Sequence, residues 1–477
     1  MNTHQLDVLK LALTWCDAHW DESIGLYLNP AHGSEPAEPM VRATAWYALG
    51  LLTRGLEPDR LRAISALENV LSYQWNRPGA PYHGTWARHP EEVEPGPEPK
   101  EWRDYDPNWR EFIGLTLEII LVRHAGDLPA SLVQGIERSL VLAVEGSLAR
   151  GIRPHYTNIA LMAAFLYDAG GRRFGNPSWS AKGHELTMGV WANFSLHDTF
   201  EEFNSPTYYG VDLIGLAALR SLAHDIESRE VATRMEKALW AEMGQLYHAR
   251  LRNFCGPYDR AYGMDLRSYV ACATHWIALG VGLDEAPYPR EPYYHKHDTV
   301  PACLISVLGV PDLPAQVLEA FTIWTGAREL DFIIDQPGSR TATCVLEDNW
   351  MVGGDSRPGR TWSQRCPGTI HWRHAATGEL CWLKFESSEH LTVRASRQGL
   401  RLSFLDHQAY EIVAYISCPS QTGSSLSDGE LPGLPADFSL PPSRVEPVED
   451  EDLGRYQLVW DQAAALEVNI RAKWRVC

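Results

Sequence analysis

Up to about residue 290, apolar residues recur with helical spacing. "EPMVRATAWYALGLLTRG", "PNWREFIGLTLEIILVRHAG", "NIALMAAFLYDAGG" and "VDLIGLAALRSLA" each carry a broad apolar face, and Gly follows several such runs as a C-terminal stop. Beyond about residue 328 the period shortens. "ELDFIIDQ", "TATCVLED", "ELCWLKFES", "HLTVRAS", "LRLSFLD", "YEIVAYIS" and "ALEVNIRAKWRV" are short β-branched or aromatic runs bounded by turn residues. The pattern predicts a helical domain over 1–290, a linker over 291–327 and an antiparallel β-sandwich over 328–477. Residues 281–312, with "EAPYPREPYYHKHD", read as the start of the connection. The Pro-, Ser- and acid-rich stretch 419–455 reads as a long surface loop.

The helical half has a finer order. Helices are expected to start at Pro39, at Pro107 after Asp106, near Asn158 after Thr157, and at Pro206 after Ser205. Asp, Thr and Ser are good N-caps, and Pro suits the first helical position. Amphipathic helices over 131–147 and 227–248 lie between them. Two helices per repeat of about 50 residues is the signature of an α/α-hairpin array. Such an array closes into a toroid around a central cavity. With about five hairpins the toroid is expected to be incomplete.

Composition narrows the function classes. The 477 residues are 45% hydrophobic and 22% charged, as in a globular chain. The net charge of −19 argues against a general nucleic-acid or anionic-membrane binder. Nine cysteines are scattered without CxxC spacing, so packed, reduced thiols are expected in place of a disulfide framework or zinc knuckle. The N-terminal "MNTHQLDVLKLALTWCDAHW" reads as an amphipathic helix, without the basic start and unbroken apolar core of a signal peptide. No run reaches the about 18 apolar residues of a membrane span. A cytoplasmic protein is the expectation. Eighteen Trp and nineteen Tyr supply faces that fill cores or stack on sugars.

The chemistry gathers at the expected helix starts. If alternate helices line the cavity, their N-termini share one mouth. That mouth holds Asn108, Trp109 and Arg110, then His155, Tyr156 and Asn158, then Asn204, Tyr208 and Tyr209 from "EEFNSPTYYGVDL". "GPYDRAYGMDLR" adds Tyr258, Arg260, Tyr262 and Asp265. Free N–H groups and the helix dipoles favour an anion there. This set suits β-elimination on a uronic acid. Amides neutralise the carboxylate, a Tyr or His removes the C5 proton, and a Tyr protonates the leaving oxygen. No metal or other cofactor is needed. The close histidines "HKH" (295–297) and "HWRH" (371–374) lack helical ligand spacing with a partner acid. The loop-like "NWMVGGDSRPGRTWSQRCPGTIHWRH" can bring Arg365 or His371 over the mouth, or form an irregular hairpin.

In the order of these segments the chain resembles the α/α-toroid polysaccharide lyases, the group that contains hyaluronate, chondroitin and xanthan lyases. "NWREFIG" resembles their aromatic patch, "HYTNIALM" their Asn segment, "FSLHDTFEEFNSPTYYG" their His–Tyr segment and "GPYDRAYGMDLR" their Arg segment. The resemblance implies catalytic roles for Asn158, His197, Tyr209 with Tyr208 as the neighbouring option, and Arg260. It implies an oligosaccharide or polysaccharide substrate, and substrate contacts are expected from Asn108, Trp109, Arg110, His155, Glu202, Asn204 and Tyr262. The chain departs from the pattern in a longer His-to-Tyr interval, where His155 can replace His197, and in a smaller β half.

Two other classes stay open. An inverting glycoside hydrolase on the same architecture would use two of Glu111, Asp198, Glu201, Glu202, Asp212 and Asp265. Glu202 and Asp198 lie one turn apart if that stretch is helical. A carbohydrate-binding protein that keeps the architecture without the chemistry is the third reading.

Overall fold

The structure is a computed structural model, and it describes residues 1–30, 36–289, 299–335, 340–357, 359, 364–375, 377–417, 434–448 and 455–471. The "HKH" histidines and most of the 419–455 stretch lie outside the described residues. Helices fill the N-terminal half and antiparallel strands the C-terminal half. The chain forms two compact units. The first comprises Met1–Ser195, Tyr208–Ala238 and Val270–Leu313; the second comprises Leu196–Thr207, Leu239–Tyr269 and Pro314–Cys477.

Among the described residues eleven α-helices lie wholly or partly in the first unit: α1 (Thr3–Ala18), α2 (Val41–Arg54), α3 (Glu57–Ser72), α4 (Trp109–His124), α5 (Ala130–Arg150), α6 (Thr157–Arg173), α7 (Pro177–Phe194), α8 (Tyr209–Leu222), α9 (Ile226–Leu246, of which the part to Ala238 belongs to this unit), α10 (Cys272–Val281) and α11 (Ala302–Leu308). Local chemistry fixes several ends. Asn2 and Gln5 form a capping box on α1. Asn176 caps α7 ahead of Pro177. Gly55 and Gly151 end α2 and α5 in the left-handed conformation. The even-numbered helices are apolar nearly all round. In α6 every residue from Thr157 to Gly171 is buried, which only a helix enclosed by others can sustain. Helices α3, α5 and α7 are amphipathic and pack on α2, α4 and α6 respectively. The enclosed helices touch in sequence, α2 on α4, α4 on α6, α6 on α8 and α8 on α10, while α1 and α11 contact both α10 and α2. Close approach requires glycine here. A Cβ on Gly210 would lie 2.2 Å from the Ala273 backbone nitrogen, at the start of α10.

Three helix starts differ from expectation. Helix α2 begins at Val41, two residues beyond Pro39, because Glu38 and Pro39 pair with Asn29 and Leu28 as a short antiparallel strand. Helix α8 begins at Tyr209, three residues beyond Pro206, because the Ser205 hydroxyl is drawn to the Arg260 carbonyl (2.7 Å) and not to a helical N–H. Helix α4 begins at Trp109, two residues beyond Pro107. There the Asp106 carboxylate accepts from the Asn108 N–H (2.9 Å), an Asx turn ahead of the helix.

Among the described residues the second unit is built on twelve strands: β1 (Arg328–Ile333), β2 (Thr341–Glu347), β3 (Trp350–Asp355), β4 (Gly368–Arg373), β5 (Leu380–Phe385), β6 (Leu391–Ser396), β7 (Gly399–Phe404), β8 (Tyr410–Ser417), β9 (Ala436–Phe438), β10 (Arg444–Pro447), β11 (Arg455–Ala463) and β12 (Ala465–Ile470). Eight form an antiparallel sheet in the order β10-β11-β8-β5-β4-β3-β2-β1, and four a second sheet in the order β6-β7-β12-β9. One core joins the two sheets, with Trp350, Ile370, Trp372, Leu383 and Phe385 from the first and Leu391, Val393, Leu402, Leu466 and Val468 from the second. Burial alternates along β6, as a strand with one wet face requires. The described part of the expected 419–455 loop contains β9 and β10, because Ala436 and Phe438 pair with β12. Helix α12 (Ala315–Glu319) and a short ribbon pairing Tyr247 with Phe254 also belong to this unit. Among the described residues no helix is long and apolar enough to cross a membrane.

Candidate functional site

In the first unit the starts of α4 and α6 meet. Asn108, the residue before α4, donates from Nδ2 to the Tyr156 hydroxyl at 2.9 Å, and Tyr156 immediately precedes α6. Arg150, the last residue of α5, donates from Nη1 to Asn108 Oδ1 at 2.7 Å. Its guanidinium lies 5.7 Å from the centre of the Tyr156 ring and 5.9 Å from that of Trp102, and 3.5 Å from Glu101 Oε2. Gly215 of α8 packs on Leu161, each within two turns of its own helix start. The N-terminal ends of α4, α6 and α8 therefore lie on one side of the helical array.

Around those ends, Asn158 and Tyr209 are buried in the first turns of α6 and α8. Tyr208 is half-buried just ahead of α8, and His155 is exposed. Trp109 is 3% exposed, with the Arg42 guanidinium 5.1 Å from its ring centre. The exposed indole on this side is Trp102, at 57%. Arg110 is fully buried. It donates to the His83 carbonyl (2.8 Å) and to the Pro81 carbonyl, while Nη1 has no partner among the described residues. Burial pushes its guanidinium below the ordinary arginine range.

Glu111 is fully buried beside Arg110. The Ser147 hydroxyl donates to Glu111 Oε1 (2.5 Å) and lies 2.7 Å from the Tyr167 hydroxyl. Glu111 Oε2 has no hydrogen-bond partner among the described residues. Burial raises the carboxyl to about 7, against the pull of Arg110, Ser147 and Arg150. A carboxyl poised there can give or take a proton near neutrality. Asp212, fully buried in α8, is a second carboxyl on an enclosed helix.

The remaining expected residues belong to the second unit. Arg260 donates to Gln364 Oε1 (2.9 Å) and to Glu202 Oε1 (3.1 Å), so its charge is engaged within that unit. Asn204 takes a left-handed backbone (φ 47°), which Asn tolerates, and its Nδ2 donates to the Cys255 and Pro257 carbonyls at 2.6 and 2.8 Å. That amide holds the loop around Pro257. His197 is half-buried and Tyr262 is exposed. His371 is enclosed between the Met264 carbonyl (3.0 Å) and Tyr258, and burial lowers it to about 4. It is a packed, neutral histidine. Arg365 donates to Asp355 (3.0 Å), which also accepts from Arg340 (2.8 Å). Arg340 reaches Asp259 (2.9 Å) and the Glu201 carbonyl (2.6 Å) as well. Burial opposes ionisation of Asp355, but the two arginines outweigh it and hold the carboxyl below its ordinary range.

Sequence reasoning missed Arg150, Trp102, Ser147 and Tyr167. Arg150 carried a readable signal, a basic residue in the last turn of a helix. The Ser147–Tyr167 pair carried none, since each sits in an ordinary helical run. The seven described cysteines are buried and free of disulfides, and among the described residues no three His, Cys, Asp or Glu side chains cluster to hold a metal.

A family model described as a domain of unknown function (DUF8769) matches residues 6–310, more than half of the chain, and the chain belongs to that family. No curated protein matches the sequence.

Proposed function

We propose that this member of the DUF8769 family is a carbohydrate-active enzyme that cleaves a uronate-containing glycan by β-elimination, at the N-terminal mouth of an incomplete α/α toroid. The toroid reading is supported by the sequence of contacts from α2 through α4, α6, α8 and α10, with α1 and α11 touching both ends. The observation that carries the site is the Asn108–Tyr156 bond, which sets the starts of α4 and α6 side by side. Asn158 follows Tyr156 by two residues, and α8, which opens with Tyr209, packs on α6.

In the proposed reaction the Asn158 amide and the helix N-termini bind the uronate carboxylate and stabilise the charge that builds on it. Tyr209, with Tyr208 as its alternate, or the exposed His155, takes the C5 proton. The C5–H electrons form the C4–C5 double bond, the C4–O bond breaks, and a tyrosine protonates the departing oxygen. His197 and Arg260 belong to the second unit, so the reaction is assigned to the residues of the first unit alone. Absorbance of the unsaturated product across a panel of uronate glycans, with Tyr208→Phe and Tyr209→Phe as controls, tests the reading.

One observation favours a second reading, glycoside hydrolysis. Glu111 stands near 7, where a general acid works best, and Asp212, buried in α8, is the second carboxyl this reading would call on. That reading gives saturated reducing sugars and no absorbing product.

A further inference from the structure

Among the described residues Trp102 is the one exposed tryptophan. An indole left in water forgoes the free energy of burying its apolar faces, so its exposure is not explained by core packing. The backbone nevertheless holds it firmly. Trp102 has φ 60°, its N–H donates to the Tyr105 carbonyl (2.8 Å), and Arg88 donates to the Arg103 carbonyl next to it (2.9 Å). The Lys100 N–H donates to Asp104, closing the turn. Arg150 lies against the indole, and it is itself fixed by Asn108 and lies over Tyr156. Trp102 is thus a flat ring on a rigid turn, backed by a cation and tied to the starts of α4 and α6.

The surroundings select a ligand class. Beside the Trp102 turn, Arg88, Arg103, Asp104 and the run 91–98 line a cavity of about 630 Å³, which Trp102 adjoins through Arg103 without lining it. The arginines are spent, Arg88 on Glu92 and Arg103 on Asp104, while Arg77 holds Glu94. Among the described residues Glu91 and Glu98 have no ion-pair partner, so the cavity carries excess negative charge. Such a wall accepts hydrogen bonds from hydroxyls and ammonium groups and repels carboxylates.

We propose that Trp102 is a stacking platform for a pyranose ring, and that this subsite takes a neutral or amino-bearing sugar and not a uronate. The proposal rests on the glycan reading of the same mouth and adds the identity of one sugar. Calorimetric titration of the full chain with the glucosamine trimer, cellotriose and trigalacturonate tests it. The first two should bind, and trigalacturonate should bind more weakly by on the order of tenfold. Trp102→Ala should weaken the first two by about tenfold, Trp102→Leu should behave alike, and Trp102→Phe should keep most of the affinity. Glu91→Gln with Glu98→Gln should weaken the glucosamine trimer alone. Unchanged binding in Trp102→Ala and Trp102→Leu overturns the platform, as does a Trp102-dependent preference for trigalacturonate or failure of every sugar to bind. Trp102-dependent self-association in place of sugar binding also overturns it. Trp102-dependent binding without elimination products contradicts the proposed reaction alone, and elimination with Trp102-independent binding contradicts the platform alone.

Discussion

Asn108 and Tyr156 share a hydrogen bond of 2.9 Å across the starts of two enclosed helices. The same amide accepts from Arg150, so one side chain fixes a helix start, a phenol and a guanidinium together. Asn108→Ala removes both bonds and should cost about 1–2 kcal/mol, read as a lower denaturant midpoint. It should also change the fluorescence of Trp102, which leans on Arg150. Asn108→Asp offers acceptors to both partners and should keep most of the stability. Equal losses in the two variants contradict this role.

Glu111 should leave a signature in the pH dependence of stability. Its carboxyl stands at about 7 in the fold, above its unfolded value of about 4.3. Between those values the native state holds a proton that the unfolded state has released, so stability falls as pH rises through this window. Glu236, also raised to about 7 by burial despite Arg220, adds to the slope. Glu111→Gln should be nearly neutral at pH 5 and should flatten part of the decline by pH 8. Denaturant titrations of both proteins at several pH values measure the difference. Parallel curves contradict the assignment.

Arg340 should be the most costly surface-distant arginine to remove. Arg340→Ala leaves the Asp259 carboxylate and the Glu201 carbonyl without it and strips Asp355 of one of its two arginines. Breaking such a buried pair costs about 3–5 kcal/mol. Arg340→Lys should not recover it, because the guanidinium makes four hydrogen bonds from three separated nitrogens, which a single ammonium nitrogen cannot span. Chemical denaturation of both variants checks this. A loss under about 1 kcal/mol contradicts it.

Gly84 is a second fixed point. Its φ of 75° and the Leu142 carbonyl, which would lie 1.9 Å from an added Cβ, leave no room for a side chain. Gly84→Ala should destabilise the protein by more than about 2 kcal/mol, seen as a lowered melting temperature. A wild-type melting temperature contradicts the tight approach.

The sequence carried the enclosed helices plainly, since α2, α4, α6 and α8 are apolar runs with polar starts. It carried the strands too, because short β-branched runs between turn residues have few alternatives. It did not carry the helix starts at Pro107 and Pro206. Those were decided by tertiary partners, Arg260 for Ser205 and the backbone at Asn108 for Asp106. It also did not show which indole would be covered. Trp102 and Trp109 sit in one polar segment, but Trp109 opens the enclosed helix α4 and has Arg42 over its ring, while Trp102 stays in the loop before it. The coupling of Glu111 to Ser147 and Tyr167 joins three helices, and no periodicity within one helix records it.

The most direct test of the proposed function is product analysis of wild type against Tyr208→Phe and Tyr209→Phe on uronate-containing glycans. Removing the hydroxyl keeps the ring and its packing but takes away the proton carrier, so kcat should collapse in one of the variants while KM changes little. The wild type should release unsaturated uronates that absorb in the ultraviolet. Release of only saturated reducing sugars, with both Phe variants fully active and Glu111→Gln inactive, would contradict elimination and assign the chemistry to Glu111.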